Sequence, residues 1–207
     1  MSKRRLIIGI DEVGRGPLAG DVFVCACAYF DKLPKGIRDA DFALRDSKKL
    51  TERARNKWVE IITEEKKNGN LFLTIARESN KTIDKINIAR AIERAAQKAL
   101  HEVIEIAGVK KGTVQCFCDG GLYVKSEKDG IVLDVATIIK GDDIIPVISL
   151  ASVYAKVSRD AYMRKLHKKY PNYGFESHKG YGTKEHIKAL RKHGVSKIHR
   201  KSFLKNI

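Results

Sequence analysis

The apolar run Ile7-Ile8-Gly9-Ile10 leads directly into two adjacent carboxylates, Asp11 and Glu12, and then into the glycine-rich turn Gly14-Arg15-Gly16. Neighbouring acids at a strand end repel each other unless a cation binds them. The pattern recurs at Cys116-Phe117-Cys118-Asp119-Gly120-Gly121 and at Ile138-Ile139-Lys140-Gly141-Asp142-Asp143. A single Asp in a turn is ordinary; three apolar segments that each deliver carboxylate beside glycine point to a shared purpose. Hard divalent cations take oxygen ligands, and Mg2+ uses few carboxylates while keeping several waters. Converging acids suit two such ions about 3.5–4 Å apart, which clamp the attacking and leaving oxygens of an in-line phosphoryl displacement or make hydroxide from water at neutral pH. The Gly14-Arg15-Gly16 turn lets backbone approach a phosphate or sugar closely.

The rest of the chain supplies a setting for that chemistry. It has 207 residues, 41 Lys and Arg against 25 Asp and Glu, and a formal charge of +16, which calls for a polyanionic partner. From Pro146 to Ile207 there are 15 Lys and Arg and 3 Asp and Glu, a net of +12, so the earlier part carries only +4. The C-terminal third is the expected docking surface, and the acids lie outside it. A basic surface that attracts a polyanion, combined with acids that hold cations against its phosphates, suits a nuclease better than a passive binder. No apolar run approaches membrane-spanning length, and the apolar piece before Asp11 is too short for a signal peptide, so a cytoplasmic protein is expected. Cys25 and Cys27, like Cys116 and Cys118, alternate within strand-like runs; each pair is expected to share a face as buried reduced thiols.

The periodicity predicts strands over Arg5–Ile10, Asp21–Phe30, Leu71–Ala76, Thr113–Cys118 and Ile131–Ile139. It predicts a helix capped by Thr51 and running to Lys67, a long helix over Thr82–Ala107, one from Pro146 to about Tyr170, and a last one over Lys184–His193. Interleaved strands and helices imply an α/β fold with a central mixed sheet flanked by helices. Residues 1–175 are read as the catalytic domain and 176–207 as a small, basic, helical C-terminal appendage.

The chain resembles ribonuclease HII in a series of segments that run in family order over nearly its whole length. They include Asp11-Glu12-Val13-Gly14-Arg15-Gly16-Pro17-Leu18, Asp46-Ser47-Lys48-Lys49-Leu50, Asn87-Ile88, Asp119-Gly120 and Lys140-Gly141-Asp142. They continue through Ile148-Ser149-Leu150-Ala151-Ser152, Ala155-Lys156-Val157-Ser158-Arg159-Asp160, Tyr173-Gly174-Phe175, His178-Lys179-Gly180-Tyr181 and Arg200-Lys201-Ser202-Phe203. The resemblance implies a ribonuclease H-like fold. It implies an endonuclease that cuts the RNA strand of RNA–DNA hybrids and incises 5′ of single ribonucleotides in duplex DNA, leaving 3′-hydroxyl and 5′-phosphate ends. Asp11, Glu12, Asp119 and Asp142 match the catalytic, metal-binding carboxylates for Mg2+ or Mn2+; Asp142 rather than Asp143 follows Lys-Gly and keeps the family spacing to Pro146.

By the same resemblance, Gly14, Arg15 and Gly16 sense the ribose 2′-hydroxyl. Ser47, Lys48, Lys49, Lys156 and Arg159 match phosphate contacts, Asn87 a further substrate contact, and Tyr181 the tyrosine that packs on the nucleotide beyond the cut. Asp160 is expected to organise the basic side chains of its helix, while His178 and Lys179 either contact the backbone or shape the turn. Three departures stand out: Asp21 where an apolar residue or Pro is usual, Leu150 where a small residue is usual, and Phe117-Cys118 in place of a more aliphatic pair. The related HIII type usually lacks an Arg like Arg15 and carries an extra N-terminal domain. No Gln-and-aromatic clamp-binding peptide is evident, and a monomer is expected. A nucleic-acid binder without catalysis and a junction resolvase on the same fold are the competing readings.

Overall fold

The computed structural model describes residues 4–44, 46–124, 127–128 and 130–205. Its strands are β1 (Leu6–Val13), β2 (Val22–Phe30), β3 (Phe72–Glu78), β4 (Gly112–Asp119), β5 (Glu127–Lys128) and β6 (Ile131–Ile138). They form one sheet in the order β3-β2-β1-β4-β6-β5. The β1–β2, β2–β3 and β5–β6 pairs are antiparallel, whereas β1–β4 and β4–β6 are parallel. This is the expected mixed sheet. Its three parallel strands are neighbours, and their carboxyl ends lie at one edge.

Helices cover both faces. They are α1 (Lys35–Arg38), α2 (Glu52–Lys67), α3 (Asn80–Ile86), α4 (Ile88–Ile106), α5 (Gly141–Ile144), α6 (Pro146–Lys169), α7 (Phe175–His178) and α8 (Lys184–His193). On one face, α4 buries Ala91, Ile92, Ala95, Ala96, Ala99, Leu100, Val103 and Ile104, a stripe at spacings of three and four that meets Leu6, Ile8 and Ile10 of β1. On the other, α2 and α6 pack around Trp58, Ile62, Ile148 and Leu150. Burying one such aliphatic side chain fully contributes ~1.5–3 kcal/mol. Leu150, one of the departures, is fully buried here, so the larger side chain fills core.

The thiols follow the strand alternation. Cys25 and Cys27 face the α2 and α6 side, Cys116 and Cys118 the α4 side, and all four are free and buried. Burial pushes the Cys25 and Cys27 thiols up, which keeps them protonated and unreactive.

The helix expected over Thr82–Ala107 is instead two. Asn87 has φ 67 and ψ 167, outside helical space, and its side chain caps α4 by accepting a hydrogen bond from the Arg90 N–H at 3.1 Å. Apolar periodicity continues across the break, so the period alone does not reveal it; Asn tolerates positive φ and is a strong N-cap. Thr51, Ser79 and Thr183 cap α2, α3 and α8 in the same manner.

A third cluster joins Leu18, Ala19, Met163, Leu166, Tyr173, Phe175 and Leu190. The expected boundary between residues 175 and 176 falls inside this cluster. Beside it lies a chain of imidazoles. The Ser196 N–H donates to His199 Nδ1 at 3.0 Å, His199 Nε2 and His186 Nε2 lie 3.1 Å apart, and His186 Nδ1 is 2.9 Å from the Tyr181 carbonyl oxygen. These contacts are consistent only with one N–H per neutral ring: His199 donates from Nε2 and His186 from Nδ1. Burial pushes His199 down to about 4, with His186 adding to it, and lowers His186 and His178 as well.

A Cβ added at Gly9 would lie 2.4 Å from the Val147 carbonyl carbon. Gly9→Ala is therefore expected to push α6 from the sheet and destabilise the fold by about 1–3 kcal/mol in denaturant unfolding. The imidazole network has a definite sign. The unfolded chain takes up protons near the ordinary His value, about 6.5, before the fold does, so stability is full above that pH and declines as pH falls towards about 4. The thermal midpoint is expected to drop over that window in the parent protein and less steeply in His199→Gln.

Candidate active site

The parallel register places Ile10 opposite Cys118 and Asp119 opposite Ile138. Asp11 and Asp119 therefore leave adjacent strands at the same level, and the turn after β6 brings Asp142 beside them. Ligand sites in open α/β sheets form outside the carboxyl ends of such strands. Asp119 Oδ1 accepts a hydrogen bond from the Gly141 N–H at 2.8 Å, which ties the β4 end to the β6 turn. The turn packs closely on α6: a Cβ on Gly141 would lie 2.6 Å from Ile148 Cδ1. The preceding Lys140 is left-handed, with φ 57.

The acids sit in low dielectric and repel one another. Asp11 is 6% exposed, and its Oδ1 accepts from the Glu12 N–H at 2.7 Å. Burial pushes its carboxyl well up, and Glu12 and Asp119 add to this. Glu12 is likewise raised by burial, against the pull of Arg15, whose Nε donates to Glu12 Oε1 at 3.1 Å. Asp142 is pushed up to about 6 by burial, then by Asp119 and Asp46. Opposing this is Lys48: burial lowers its ammonium, but the summed field of Asp46, Asp11, Asp142 and Asp119 leaves it raised.

An observation about Glu12 tests whether the set suits a metal. Its Oε2 is buried with no hydrogen-bond partner among the described residues. An unpaired buried carboxylate oxygen is unfavourable, and a divalent cation would satisfy it. All four donors are carboxylates, the ligand type that Mg2+ and Mn2+ take. The residues present therefore fit such ions.

The cluster is larger than the sequence pattern suggested. Asp46, Asp142 and Asp143 each offer a carboxylate oxygen, all within 4.8 Å of one another. Asp143 pairs with the Lys49 ammonium, which lowers its carboxyl, and Asp46 lines the cleft with Lys48, Asp119 and Lys140. Asp46 opens one of the family-like segments, but its neighbours in sequence give no sign that it meets Asp142.

The substrate-contact candidates divide. A Cβ on Gly16 would lie 3.8 Å from Tyr181 Cε1, and Tyr181 is 42% exposed, so the ring stands beside the Gly14-Arg15-Gly16 turn. Lys156 is partly exposed and pairs with Asp160 at 2.7 Å, the organising contact expected of that acid. Asn87 caps α4 and borders a shallow cavity with Ser202 and Phe203.

Two expected phosphate contacts are corrected by their burial. Ser47 is 4% exposed, and its hydroxyl accepts a hydrogen bond from Ser152 Oγ at 2.9 Å, beneath Asp11. Arg159 is fully buried; Nε, Nη1 and Nη2 donate to the carbonyls of Asp21, Lys179 and Ala19 at 3.1, 3.1 and 3.3 Å. Neither side chain faces solvent, where a phosphate would approach. His178 shapes its turn: Gly180 N–H donates to Nδ1, and Nε2 lies 2.7 Å from the Tyr173 carbonyl oxygen.

The raised Asp142 gives a stability test. An acid whose folded value lies above its unfolded one favours folding when protonated, and that contribution is lost as pH rises through about 6. Its charge opposes folding at neutral pH. Without divalent metal, Asp142→Asn is expected to raise the thermal midpoint by about 2–4 °C, as ~1 kcal/mol does for a chain of this size. Mn2+ is expected to raise the midpoint of the parent protein more than that of the variant.

Comparison with known proteins agrees with this geometry. The family model described as Ribonuclease HII matches residues 8–206. The ribonuclease HII of Acetivibrio thermocellus is 40% identical over 203 residues, covering 98% of this chain and 71% of that protein. That of Caldicellulosiruptor saccharolyticus is 42% identical over 206 residues, covering 98% and 89%. Among solved structures, the Pyrococcus horikoshii ribonuclease H2 superposes with a TM-score of 0.70 at 22% identity, covering 95% of this chain and 93% of that one. The RNase HIII named Bst, solved with Mn2+, gives 0.65 at 18% identity, covering 92% and 63%. These structures share the ribonuclease H-like fold. An acid-ended parallel sheet edge, a family match over nearly the full length and two relatives at 40% identity or more together make this chain a member of the ribonuclease HII family, a ribonuclease H hydrolase.

Proposed function

We propose that this ribonuclease H cuts the RNA strand of RNA–DNA hybrids and incises 5′ of single ribonucleotides in duplex DNA, leaving 3′-hydroxyl and 5′-phosphate ends. The observation that carries the reading is the meeting, at one sheet edge, of Asp11, Glu12, Asp119 and Asp142 with a glycine turn and an exposed tyrosine. Asp11, Glu12, Asp119 and Asp142 would hold two divalent ions, Mg2+ or Mn2+. Such ions, when bound, stabilise the charge on the attacking and leaving oxygens of the phosphoryl displacement. The protein's part is positioning. Gly141 N–H fixes the Asp119 carboxylate, Arg15 holds Glu12 from the substrate side, and the Glu12 N–H orients Asp11.

The Gly14-Arg15-Gly16 turn would read the 2′-hydroxyl, the group that separates RNA from DNA. Tyr181, next to Gly16, would pack on the sugar of the following nucleotide, where a deoxyribose fits more closely than a ribose. Lys48, Lys49 and Lys156 would meet phosphates, and Asn87 would contact the same strand further from the cut. Residues 176–207 act in this reading as a substrate-binding appendage. The enzyme works as a cytoplasmic monomer that removes ribonucleotides from DNA.

The test uses a labelled duplex with a single ribonucleotide. Asp119→Asn is expected to lower the cleavage rate by about 10²-fold or more, because removal of charge-stabilising groups at the reacting centre costs that much. Affinity measured without metal is expected to stay the same or rise, since one charge that repels phosphate is gone. Parent-like cleavage by Asp119→Asn sinks the assignment; cleavage of a DNA junction that lacks ribose favours a resolvase instead.

A further inference from the structure

We infer that Arg200 is a positioning residue for ribose recognition: from the interior it orients the Gly14-Arg15-Gly16 turn. The inference rests on the reading of that turn as the sensor of the 2′-hydroxyl.

Arg200 is fully buried. Its Nε donates to the Gly20 carbonyl at 2.9 Å, Nη1 to the Arg15 carbonyl at 3.0 Å and Nη2 to the Gly14 carbonyl at 2.7 Å. The last two bonds set the direction of two successive peptide planes. In a trans peptide the C=O and the next N–H point opposite ways, and the chain has no cis peptide bond among the described residues. With the carbonyls of Gly14 and Arg15 drawn inward to one guanidinium, the N–H groups of Arg15 and Gly16 point away from it. Both residues are exposed, and neither N–H has a partner among the described residues. Two consecutive outward N–H donors form a site for an electronegative oxygen. The planar fork of Arg fixes both planes together, which a lysine ammonium does not.

Arg159 reinforces the hold from the other side. Its guanidinium packs against Gly14, where a Cβ would lie 2.3 Å from Nε; with φ +95, only glycine suits the position. Two buried guanidiniums in one place are electrostatically unfavourable. Asp21 offsets them: it is 8% exposed, its carboxylate lies 3.8 Å from Arg77 Nε, and it exerts an attractive field on both Arg159 and Arg200. This gives the departure at residue 21 a physical reason: its charge joins that of Asp160 in facing Arg159 and that of Asp84 in facing Arg200.

Arg200 reaches the turn because the C-terminal segment is latched from a distant element. Asp84 of α3 accepts from the N–H groups of Lys201 and Ser202 at 3.0 and 2.9 Å and from Ser202 Oγ at 2.6 Å. The Phe203 ring lies 5.2 Å from the Arg200 guanidinium carbon. Among the described residues the Asp84 carboxylate is bonded to Lys201 and Ser202 and to none of Asp11, Glu12, Asp119 and Asp142.

The experiment compares the parent protein with Arg200→Lys and Asp84→Ala, each checked for folding by circular dichroism. Amide resonances of Arg15 and Gly16 are followed as a metal-free duplex is added, once with a single ribonucleotide and once all-deoxy. In the parent, both resonances are expected to respond differently to the two duplexes. In Arg200→Lys that difference is expected to vanish, and kcat at the ribonucleotide to fall about 10- to 100-fold with KM changed less than about threefold, the pattern of lost alignment rather than lost docking. Asp84→Ala is expected to show the same split with a smaller loss. If the parent itself shows no ribose-dependent response, the reading of the turn fails and this inference with it. If the parent responds and folded Arg200→Lys keeps both response and kcat, Arg200 is only a scaffold residue and the inference is overturned. Should Arg200→Lys not fold, Asp84→Ala decides by the same two readouts, parent-like values counting against the inference.

Discussion

Carboxylates gathered at one edge of a sheet repel one another, and burial removes the water that would screen them. Asp11, Glu12 and Asp142 all have raised carboxyls for this reason, with burial the largest cause in each. The rest of the fold can be understood as the apparatus that holds them together. The β1, β4 and β6 ladders fix three chain segments at a common level, and α6 lies so close over β1 that Gly9 has no room for a Cβ. The close approach brings Ser152 to Asp11 and, through it, Ser47. Residual repulsion is then the driving force for taking up divalent cations, and the unpaired Glu12 Oε2 marks where that force is least relieved by the protein itself.

Charge is sorted in space to match. The acids occupy the cleft, and the excess of cations lies in the C-terminal third of the chain. Not every cation there is available to a polyanion. Arg159 and Arg200 are interior, bonded to carbonyl oxygens, and Lys156 is partly neutralised by Asp160. Long-range attraction therefore comes from the exposed lysines and arginines, whereas the buried arginines shape the surface against which the polyanion settles. The distinction matters because exposed charges are screened by salt and buried ones much less.

The chain's two ends are interlocked. The segment from Gly14 to Asp21 is held by Arg159 of α6, by the Gly180 carbonyl, which accepts from the Leu18 N–H, and by Arg200 near the C-terminus. The imidazole network of His186 and His199 fixes the Tyr181 carbonyl in the same neighbourhood. The Gly14-Arg15-Gly16 turn and Tyr181 thus belong to one packed unit, built from parts of the chain about as far apart as it allows.

Much of this was readable in the amino-acid order. The acids that follow apolar runs at Asp11, Asp119 and Asp142, the caps at Thr51 and Thr183, and the paired faces of the four thiols follow from local rules, although β1 runs on past Asp11 to Val13 and Asp142 lies in α5: alternation, capping chemistry and the meaning of glycine beside an acid. Those rules act over a few residues, and the sequence by itself determined what depends on them: the elements, the acids and the basic C-terminal third. It could not reveal that Asp46 joins Asp142, that Ser47 and Arg159 are interior, that Asn87 breaks a helix whose apolar period continues, or that Arg200 grips a turn 185 residues away. Each of these is set by which carbonyls and carboxylates the folded chain leaves within reach of a donor. Only the tertiary structure decides that, because hydrogen bonds and desolvation depend on position in space, whereas a side chain's type records only what it is able to do.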